Sequence, residues 1–341
     1  MALTNFAALT NEQKTVWSMD LWKQARNMSF VNQFLGSDSN SIIQHVTELK
    51  KSEKGARAVI TLLTDLEGDG VAGDRTLEGN EEALQFYDDN LRIDQLRHAT
   101  RVKGRMTEQR VPYNLRRVSR DRLADWWARR MDVSFFNQIC GNTAVSDTKF
   151  TGNNAVIAPS TNRIIRAGNQ STDQALTSSD KFDLTYIDVA RNYAETASIE
   201  ASTGPMIRPI SQDGNDYYVM FLHDDQVYDL RTNTSAGQWQ DIQKATLMGG
   251  DIKDNPIFTG ALGIYNGVVL HKAARVTQGV HSTAGTAVSN TRRAVLCGAQ
   301  AAAIAYGSEN GATKYTWVEE MFDYGNQFGV AAGAIWGLKK T

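Results

Sequence analysis

The sequence predicts a mixed α and β (α+β) fold with a protruding hairpin arm, on three observations. Apolar residues recur at four-residue steps through a long stretch that begins near Asn114, as they do on one face of a helix. Short runs rich in β-branched residues recur before and after that stretch and are typical of strands. A glycine- and acid-rich stretch, residues 65–90, separates two of these runs and predicts an exposed loop, called the acidic loop below.

The composition is that of an ordinary globular protein. Of the 341 residues, 41% are hydrophobic and 22% are charged, which excludes the disordered, collagenous and coiled-coil classes. The length favours about two domains. With 36 basic and 38 acidic residues, the net charge of −2 gives no overall attraction to nucleic acid or to an anionic membrane. Any electrostatic function therefore has to be local.

The cysteines and the hydropathy of the chain predict its compartment. Cys140 and Cys297 lie far apart in sequence and form neither a disulfide framework nor a zinc-binding spacing. The first residues lack a basic region followed by an apolar one, and no stretch reaches about 18 uninterrupted apolar residues. We therefore expect a protein of the reducing cytoplasm with no membrane partner.

The first third of the chain is predicted to form a helix followed by a hairpin. Thr10 and Gln13 give a capping-box signature, and apolar residues then follow at helical spacing as far as Met28. The β-branched residues within 42–63 predict a strand. Residues 91–106 are expected to return as the second strand, so that the hairpin arm holds a loop of about 25 residues, longer than a compact domain keeps without a purpose.

The strongest prediction is a helix over residues 114–140. At 1.5 Å per residue it would be about 40 Å long, with one apolar and one arginine-rich face, and Gly141 would end it. Its apolar stripe consists of Leu115, Val118, Leu123, Trp127, Met131, Phe135 and Ile139. A second helix is predicted to begin at Asp183, with Tyr193 on its buried side.

From Met206 onward the pattern changes to short α/β units. Strands are predicted at residues 216–223 and 266–271, and short helices at 224–231 and 236–247. The segment 292–307 supplies a further strand, and the C-terminal residues supply two more strands separated by Asp323–Gly325.

No motif makes a convincing catalytic, cofactor or metal site. Gly68, Gly70 and Gly73 match the dinucleotide-binding spacing, but the surrounding acids would repel a pyrophosphate. The acids from Asp65 are spaced like the start of a calcium loop, but Thr76 stands where the bidentate glutamate belongs. The histidines show no catalytic or metal-binding spacing. We therefore predict no enzyme, no cofactor and no metal; an enzyme built on residues 206–300 would need a polar cluster that the sequence does not show.

Charge is distributed unevenly along the chain. Residues 65–94 carry ten acids against two bases, a net of −8, and residues 97–130 carry eleven bases against three acids, a net of +8. The tryptophans of residues 97–130, the basic segment, fall on the apolar stripe rather than among the arginines, which disfavours a nucleic-acid site there. The charges instead suit a head-to-tail contact, in which the acidic arm of one copy meets the basic helix of the next copy and rings close.

Four segments, which together span most of the chain in order, carry a family resemblance. They read EGNEEALQFYDDNLRIDQLRHATRVKG (78–104), HDDQVYDLRTNTSAGQWQDIQKA (223–245), NPIFTGALGIYNGVVLH (255–271) and EEMFDYGNQFGVAAGAIWGLKK (319–340). In these segments the chain resembles the major capsid proteins of tailed bacteriophages with the Hong Kong 97-type fold.

The resemblance implies a division of the chain into five regions. They are an N-terminal arm and helix (1–54), an extended β-hairpin loop (55–108), a peripheral domain (109–205) with a spine helix at 114–140, an axial domain (206–300), and C-terminal strands (301–341) that return to the peripheral domain.

The resemblance also implies a function. We expect a structural protein that self-assembles into the pentamers and hexamers of an icosahedral shell, the virion capsid, assembled in the host cytoplasm. Packaged double-stranded DNA would contact the inner face without sequence specificity, and a separate scaffolding protein and a portal would be further partners. Some relatives crosslink neighbouring subunits through a lysine and an asparagine, but nothing in this sequence places such residues together.

Seven residues are predicted to make contacts between copies. On one copy they are Glu78, Glu81, Glu82 and Asp88, and on its neighbour Arg116, Arg120 and Arg130. The alternative is a non-capsid nucleic-acid-binding protein that uses the basic segment 97–130 on phosphates. Its signature would be tight, salt-sensitive binding of DNA by isolated subunits.

Overall fold

The structure is a computed structural model that describes residues 19–21, 23–25, 28–46, 57–63, 70–84, 86–112, 114–196, 206–212, 214–233, 262–307 and 315–341. The α-helices whose two ends both lie within these residues are α1 Arg105–Arg110, α2 Leu115–Ile139, α3 Thr148–Thr151, α4 Leu184–Thr196 and α5 Asp224–Thr232. Residues 19–21, 23–25 and 28 are also helical. The strands are β1 Leu35–Gly36, β2 Ile43–Val46, β3 Arg57–Leu63, β4 Phe86–Arg92, β5 Asp94–Arg101, β6 Ile210–Gln212, β7 Asn215–Leu222, β8 Gly263–Tyr265, β9 Val268–Lys272, β10 Gly279–Val280, β11 Ala287–Val288, β12 Val295–Cys297, β13 Ala302–Gly307, β14 Thr316–Phe322 and β15 Gln327–Lys340.

The larger sheet is organised by β15, a strand of 14 residues. Along one edge it pairs antiparallel with β5. Along the opposite edge its first half pairs with β14 and its second half with β13. Beyond β13 the parallel strands β2 and β1 complete a six-stranded sheet. The two C-terminal strands and the intervening turn were predicted from sequence, and the structure confirms them.

The smaller sheet has the order β12-β7-β9-β8, with β6 paired to β7. Strands β7 and β9 run parallel, and the other pairs are antiparallel. Side chains of strand β7 point alternately to its two faces, and both faces are covered by other parts of the chain. Tyr218, Met220 and Leu222 join the cluster that helices α4 and α5 cover. Val219 and Phe221 face the other way, into the core that includes α2.

The hairpin arm consists of β3 and β4, which pair antiparallel from Arg57↔Arg92 to Leu63↔Phe86. The sequence predicted a hairpin here but placed its second strand at residues 91–106, and that placement was largely wrong. The second strand is β4, and most of the predicted segment forms β5, which pairs with β15 instead. The reason is physical: β15 offers β5 a ladder of eight paired residues, from Gly329↔Arg101 to Trp336↔Asp94.

The predicted long helix is confirmed as α2. Asn114 caps it, because its side chain accepts hydrogen bonds from the backbone N–H of Arg116 and Arg117. Gly141 follows it with φ of 60°, the left-handed conformation that favours glycine. A β-carbon at Gly141 would also lie 2.9 Å from the Ile157 carbonyl oxygen, so this position excludes a side chain on two grounds.

Helix α2 and β15 enclose the main core. Of the predicted stripe, Leu123, Trp127, Met131, Phe135 and Ile139 are buried in it, whereas Leu115 and Val118, near the start of the helix, are only partly buried. Helix and sheet meet on this stripe because its four-residue spacing keeps these side chains on one face. The stripe therefore holds the helix against the sheet.

Other predictions have mixed outcomes. Most of the N-terminal helix predicted from Thr10 and all of the helix predicted at 236–247 lie outside the described residues. Within the first, Leu21 and Ala25 are buried as expected, but Met28 is half-exposed. In α4, Tyr193 is also half-exposed, so its assignment to the buried side was wrong.

Asp132 is a buried carboxylate that joins three parts of the chain. One oxygen accepts hydrogen bonds from Ser29 Oγ at 2.8 Å and from the Val31 N–H at 3.2 Å. The other lies 3.7 Å from Arg275 Nε. Burial raises the pKa of Asp132, because these partners only partly replace water around the charge.

Asp173 is a second buried carboxylate, and its partners are closer. It accepts hydrogen bonds from Arg166 Nε at 2.7 Å, from Arg293 Nη2 at 2.7 Å and from the Val280 N–H at 3.0 Å. Burial alone would raise its pKa, but the hydrogen bonds from Arg293, Arg166 and Val280 outweigh burial and lower the pKa. Arg293 also donates to the Gly141 carbonyl beyond α2, so this pair ties the end of the helix to β10.

These opposite pKa shifts predict opposite effects of pH on stability. The stabilisation linked to Asp132 is present below the ordinary pKa of 3.8 and is lost as pH rises through the higher folded value. The stabilisation linked to Asp173 is present above 3.8 and is lost as pH falls through the lower folded value.

We therefore expect different profiles for Asp132→Asn and Asp173→Asn when unfolding free energies are measured in urea between about pH 2.5 and 6. The unfolding free energy of the parent chain minus that of D132N should fall as pH rises. The unfolding free energy of the parent chain minus that of D173N should rise. Two differences that change in the same direction would contradict these assignments.

Candidate functional site

The described part of the acidic loop, residues 70–84, is exposed almost throughout. It carries Glu78, Glu81 and Glu82, and Glu81 Oε2 accepts a hydrogen bond from the Gly79 N–H at 2.7 Å. Asp88 is exposed on β4 of the same arm. Four of the predicted contact residues therefore lie on the hairpin arm.

The basic segment presents exposed side chains from three consecutive elements. They lie on β5, on α1 with the turn before it, and on α2. The exposed bases are Arg97, Arg101, Lys103, Arg105, Arg110, Arg117, Arg122 and Arg129. Arg122 forms an i,i+3 ion pair with Asp125 at 3.3 Å. We call these eight residues the basic face, a name that rests on their shared exposure within the basic segment.

Arg116, in contrast, has a carboxylate partner in its own chain. Its Nε donates to Glu319 Oε1 at 2.6 Å, and its Nη2 pairs with Glu319 Oε2. Trp317 Nε1 donates to the same carboxylate at 2.9 Å. The Glu319 side chain is 1% exposed and that of Arg116 is 21% exposed. This pair ties the start of α2 to β14.

Arg120 and Arg130 also have partners in their own chain. Arg120 lies 2.9 Å from Asp121 and 3.5 Å from Asp20. The Arg130 guanidinium lies over the rings of Trp126 and Phe150, with distances to the ring centroids of 5.0 and 4.2 Å. Burial lowers the pKa of Arg130, and Asp147 opposes that shift. Pairing of these arginines with a neighbouring copy stays a prediction.

Glu319 is the residue of this region that sequence reasoning missed. The sequence alone gives no clear signal for it, because β14 exposes the apolar Val318 and nearly buries the acidic Glu319 beside buried Trp317. A glutamate on the buried face of a strand requires a cation, and Arg116 meets that requirement. The sequence separation of 203 residues kept the pair from being recognised.

Among the described residues, the requirements of a metal site, a dinucleotide site and a membrane-spanning helix are not met. Among the described residues no group of histidine, cysteine or acidic side chains could hold a metal ion. The described part of the Gly68–Gly73 motif continues as loop to residue 84, without the helix that a dinucleotide site needs. No helix in the parts that the structure describes is long and apolar enough to cross a membrane.

Comparisons with known proteins identify the class. The family model of the phage capsid protein matches residues 5–341. The major capsid protein of Pseudomonas phage KPP25 is 38% identical in an alignment 367 residues long. The alignment covers 99% of this chain and 91% of that protein.

Solved structures agree with the sequence comparisons. A chain of the capsid of Ralstonia phage GP4 superimposes with a TM-score of 0.77 at 34% identity, over 92% of this chain and 87% of that chain. A chain of the cyanophage Pam1 capsid asymmetric unit gives a TM-score of 0.67 at 19% identity, over 100% and 92% of the two chains, and this likeness shows the fold alone.

The chain therefore belongs to the phage capsid protein family. It is a structural component of the phage virion that forms the capsid shell with copies of itself, and not an enzyme. The predicted α+β fold of the Hong Kong 97 type is confirmed at the level of the whole chain.

The buried Arg116–Glu319 pair predicts a contrast between two neighbouring arginines. Arg116→Ala leaves Glu319 buried without its bidentate partner, and because Arg116 keeps some exposure we expect a loss of about 2–3 kcal/mol, below the ~3–5 kcal/mol of a fully buried pair. Arg117→Ala, on the exposed side, should change stability by less than about 0.5 kcal/mol. Urea unfolding of both variants measures the contrast, and equal losses would contradict the role given to Glu319.

Proposed function

We propose that this chain forms pentamers and hexamers of an icosahedral shell that encloses double-stranded DNA, with the acidic loop of each copy lying against the basic face of its neighbour. The observation that carries the proposal is the exposure of both charged surfaces on one chain. The acids of residues 70–84 and the eight bases of the basic face are both accessible to another copy.

The geometry of the contact follows from the use of two different surfaces. A contact between unlike surfaces of identical chains is head-to-tail, and it closes into a ring when the rotation per copy divides the circle. Five-fold and six-fold rings are the units of an icosahedral shell. The acidic loop at the tip of the arm can adapt to both, since its described residues 70–84 are exposed almost throughout.

The charges in this contact set its register more than its strength. An exposed ion pair contributes about 0 to 1 kcal/mol and is weakened by salt. Arg116, Arg120 and Arg130, whose guanidinium groups have partners in their own chain, would offer a neighbour only part of their hydrogen-bonding capacity. Arg117 and Arg129 are exposed, and Arg122, although paired with Asp125, keeps a side chain that is 74% exposed. These three are therefore the better-placed cations of α2 for Glu78, Glu81, Glu82 and Asp88.

The remaining features of the proposal follow from membership of the family. We infer that the five regions bounded at residues 54, 108, 205 and 300 act as the arms and domains of a capsid subunit. The confinement of the smaller sheet to residues 210–297 supports the axial region. A separate scaffolding protein, a portal and assembly in the host cytoplasm are also proposed, with DNA bound on the inner face without sequence specificity.

A second function uses the same basic face on nucleic acid. The exposed bases on three consecutive elements favour it, since phosphate contacts need accessible lysine and arginine side chains. Stacking on bases is disfavoured, because Trp127 is fully buried and the Trp126 ring already stacks on His98 and contacts the Arg130 guanidinium. This function would therefore be a phosphate contact without sequence reading.

Assembly of the purified chain tests the primary proposal. We expect sedimentation velocity and negative-stain electron microscopy at low salt to show closed shells or rings of five and six copies, which high salt dissolves. If copies fail to associate both alone and with their scaffolding protein, the proposal is contradicted. A DNA titration of the dissociated subunits then measures the second function, and tight binding with a steep salt dependence would favour it.

Removing the loop charges tests the proposed contact itself. The variant E78Q/E81Q/E82Q should raise the concentration at which shells form by about tenfold, since each lost exposed pair costs up to about 0.5 kcal/mol. The control E78D/E81D/E82D keeps all three charges and should assemble like the parent chain. Equal thresholds and equal salt dependence for the parent chain and the glutamine variant would contradict the contact.

A further inference from the structure

The hairpin arm leaves the larger sheet within a few residues. The ladder between β5 and β15 ends at Asp94↔Trp336, and Ile93 alone separates β5 from β4 of the arm. The direction of the arm is therefore decided around Arg92, the last residue of β4. Backbone torsions at such a junction are free unless neighbouring groups hold them.

The side chain of Asn154 holds this junction. Its Oδ1 accepts a hydrogen bond from the Arg92 N–H at 2.9 Å, and its Nδ2 donates to the Arg92 carbonyl oxygen at 3.0 Å. The same Nδ2 donates to the carbonyl oxygens of Leu338 at 3.0 Å and Gly152 at 3.1 Å. A primary amide can donate and accept at once, so one side chain continues the ladder between arm and β15 where backbone pairing stops.

Asn154 is itself fixed by the end of α2. Gln138 Nε2 donates to the Asn154 carbonyl oxygen at 2.8 Å and to the Thr151 carbonyl oxygen at 2.7 Å. The turn before it has left-handed conformations at Gly152 and Asn153, with φ of 71° and 63°. Asn154 is only 6% exposed, so water does not compete well for its hydrogen bonds.

A second contact between the arm and β15 involves Gly337 and Lys339. A β-carbon at position 337 would overlap the Arg92 carbonyl oxygen, so Gly337 lets the arm approach the strand closely. Lys339 then donates to the Asn90 carbonyl oxygen at 3.1 Å and forms an ion pair with Asp89. Two side chains thus hold the end of β4: Asn154 binds Arg92, and Lys339 binds Asp89 and Asn90. We call Asn154 and Lys339 the arm clamp.

We propose that the arm clamp positions the acidic loop for assembly, with Asn154 as the principal positioning residue. By fixing the base of the arm before a neighbour arrives, it removes an ordering cost that would otherwise oppose association. The claim about assembly rests on the proposed function, whereas the claim that the clamp orients the arm stands on its own.

A distance measurement on single subunits tests the orienting role. Nitroxide labels at Val59→Cys on β3 and Gln109→Cys on α1 report the arm against the body, since both positions are exposed and the native Cys140 and Cys297 are buried. Double electron–electron resonance should give a narrow distance distribution in the parent chain. Asn154→Ala should make it about twofold broader.

Two further variants make this measurement decisive. Asn142→Ala removes a buried amide that donates to Asn137 at the end of α2, and it should leave the distribution narrow. Lys339→Met removes the half-buried ammonium group that contacts Asp89 and Asn90, and it should broaden the distance distribution less than N154A does. This variant also tests the clamp if N154A fails to fold. A narrow distribution in both clamp variants would overturn the proposal.

Assembly of the same variants gives the second readout. N154A subunits that are folded by circular dichroism should need about tenfold higher concentration to form shells, while N142A subunits assemble normally. A broad arm distribution with normal assembly would overturn the positioning role in assembly. Failure of the parent chain to assemble would count against the proposed function alone, because the distance measurement does not depend on it.

Discussion

The pairing of β15 with three other strands is the interaction on which the rest of the structure depends. One edge of this strand takes β5, and the other takes β14 and β13 in succession. Helix α2 packs its apolar stripe into the core that this sheet closes. Because β5 is fixed by β15, the hairpin arm begins at a defined place, and because β14 is fixed, Glu319 reaches Arg116.

Much of the fold could be predicted from sequence because its signals are local. The spacing of Leu123, Trp127, Met131, Phe135 and Ile139 predicts one helix face, and the glycine that ends the helix, Gly141, is recognised within a few residues. The apolar run of β7 and the turn between β14 and β15 are equally local. Such patterns depend on the side chains of one element, so they need no knowledge of the partner.

The errors arise where the partner is distant in sequence. The sequence separating β5 from β15 contains over half of the chain, and nothing near β5 indicates which strand it joins. The arginines show the same limit, since a charge count treats Arg116 and Arg117 alike. Only the fold distinguishes the first, paired to buried Glu319, from the second, which is exposed. Asn154 was not singled out, because its role requires three segments to meet.

The central claim is that the acidic loop of one copy contacts the basic face of another, and disulfide trapping between two tagged versions of the chain tests it most directly. One version carries Glu81→Cys and the other carries Arg117→Cys, Arg122→Cys or Arg129→Cys, while the native cysteines are buried. The account predicts crosslinked heterodimers in assembled shells and none in subunits dissociated by salt. Shells that form without any such heterodimer, or crosslinks that are equally abundant in dissociated subunits, would contradict it.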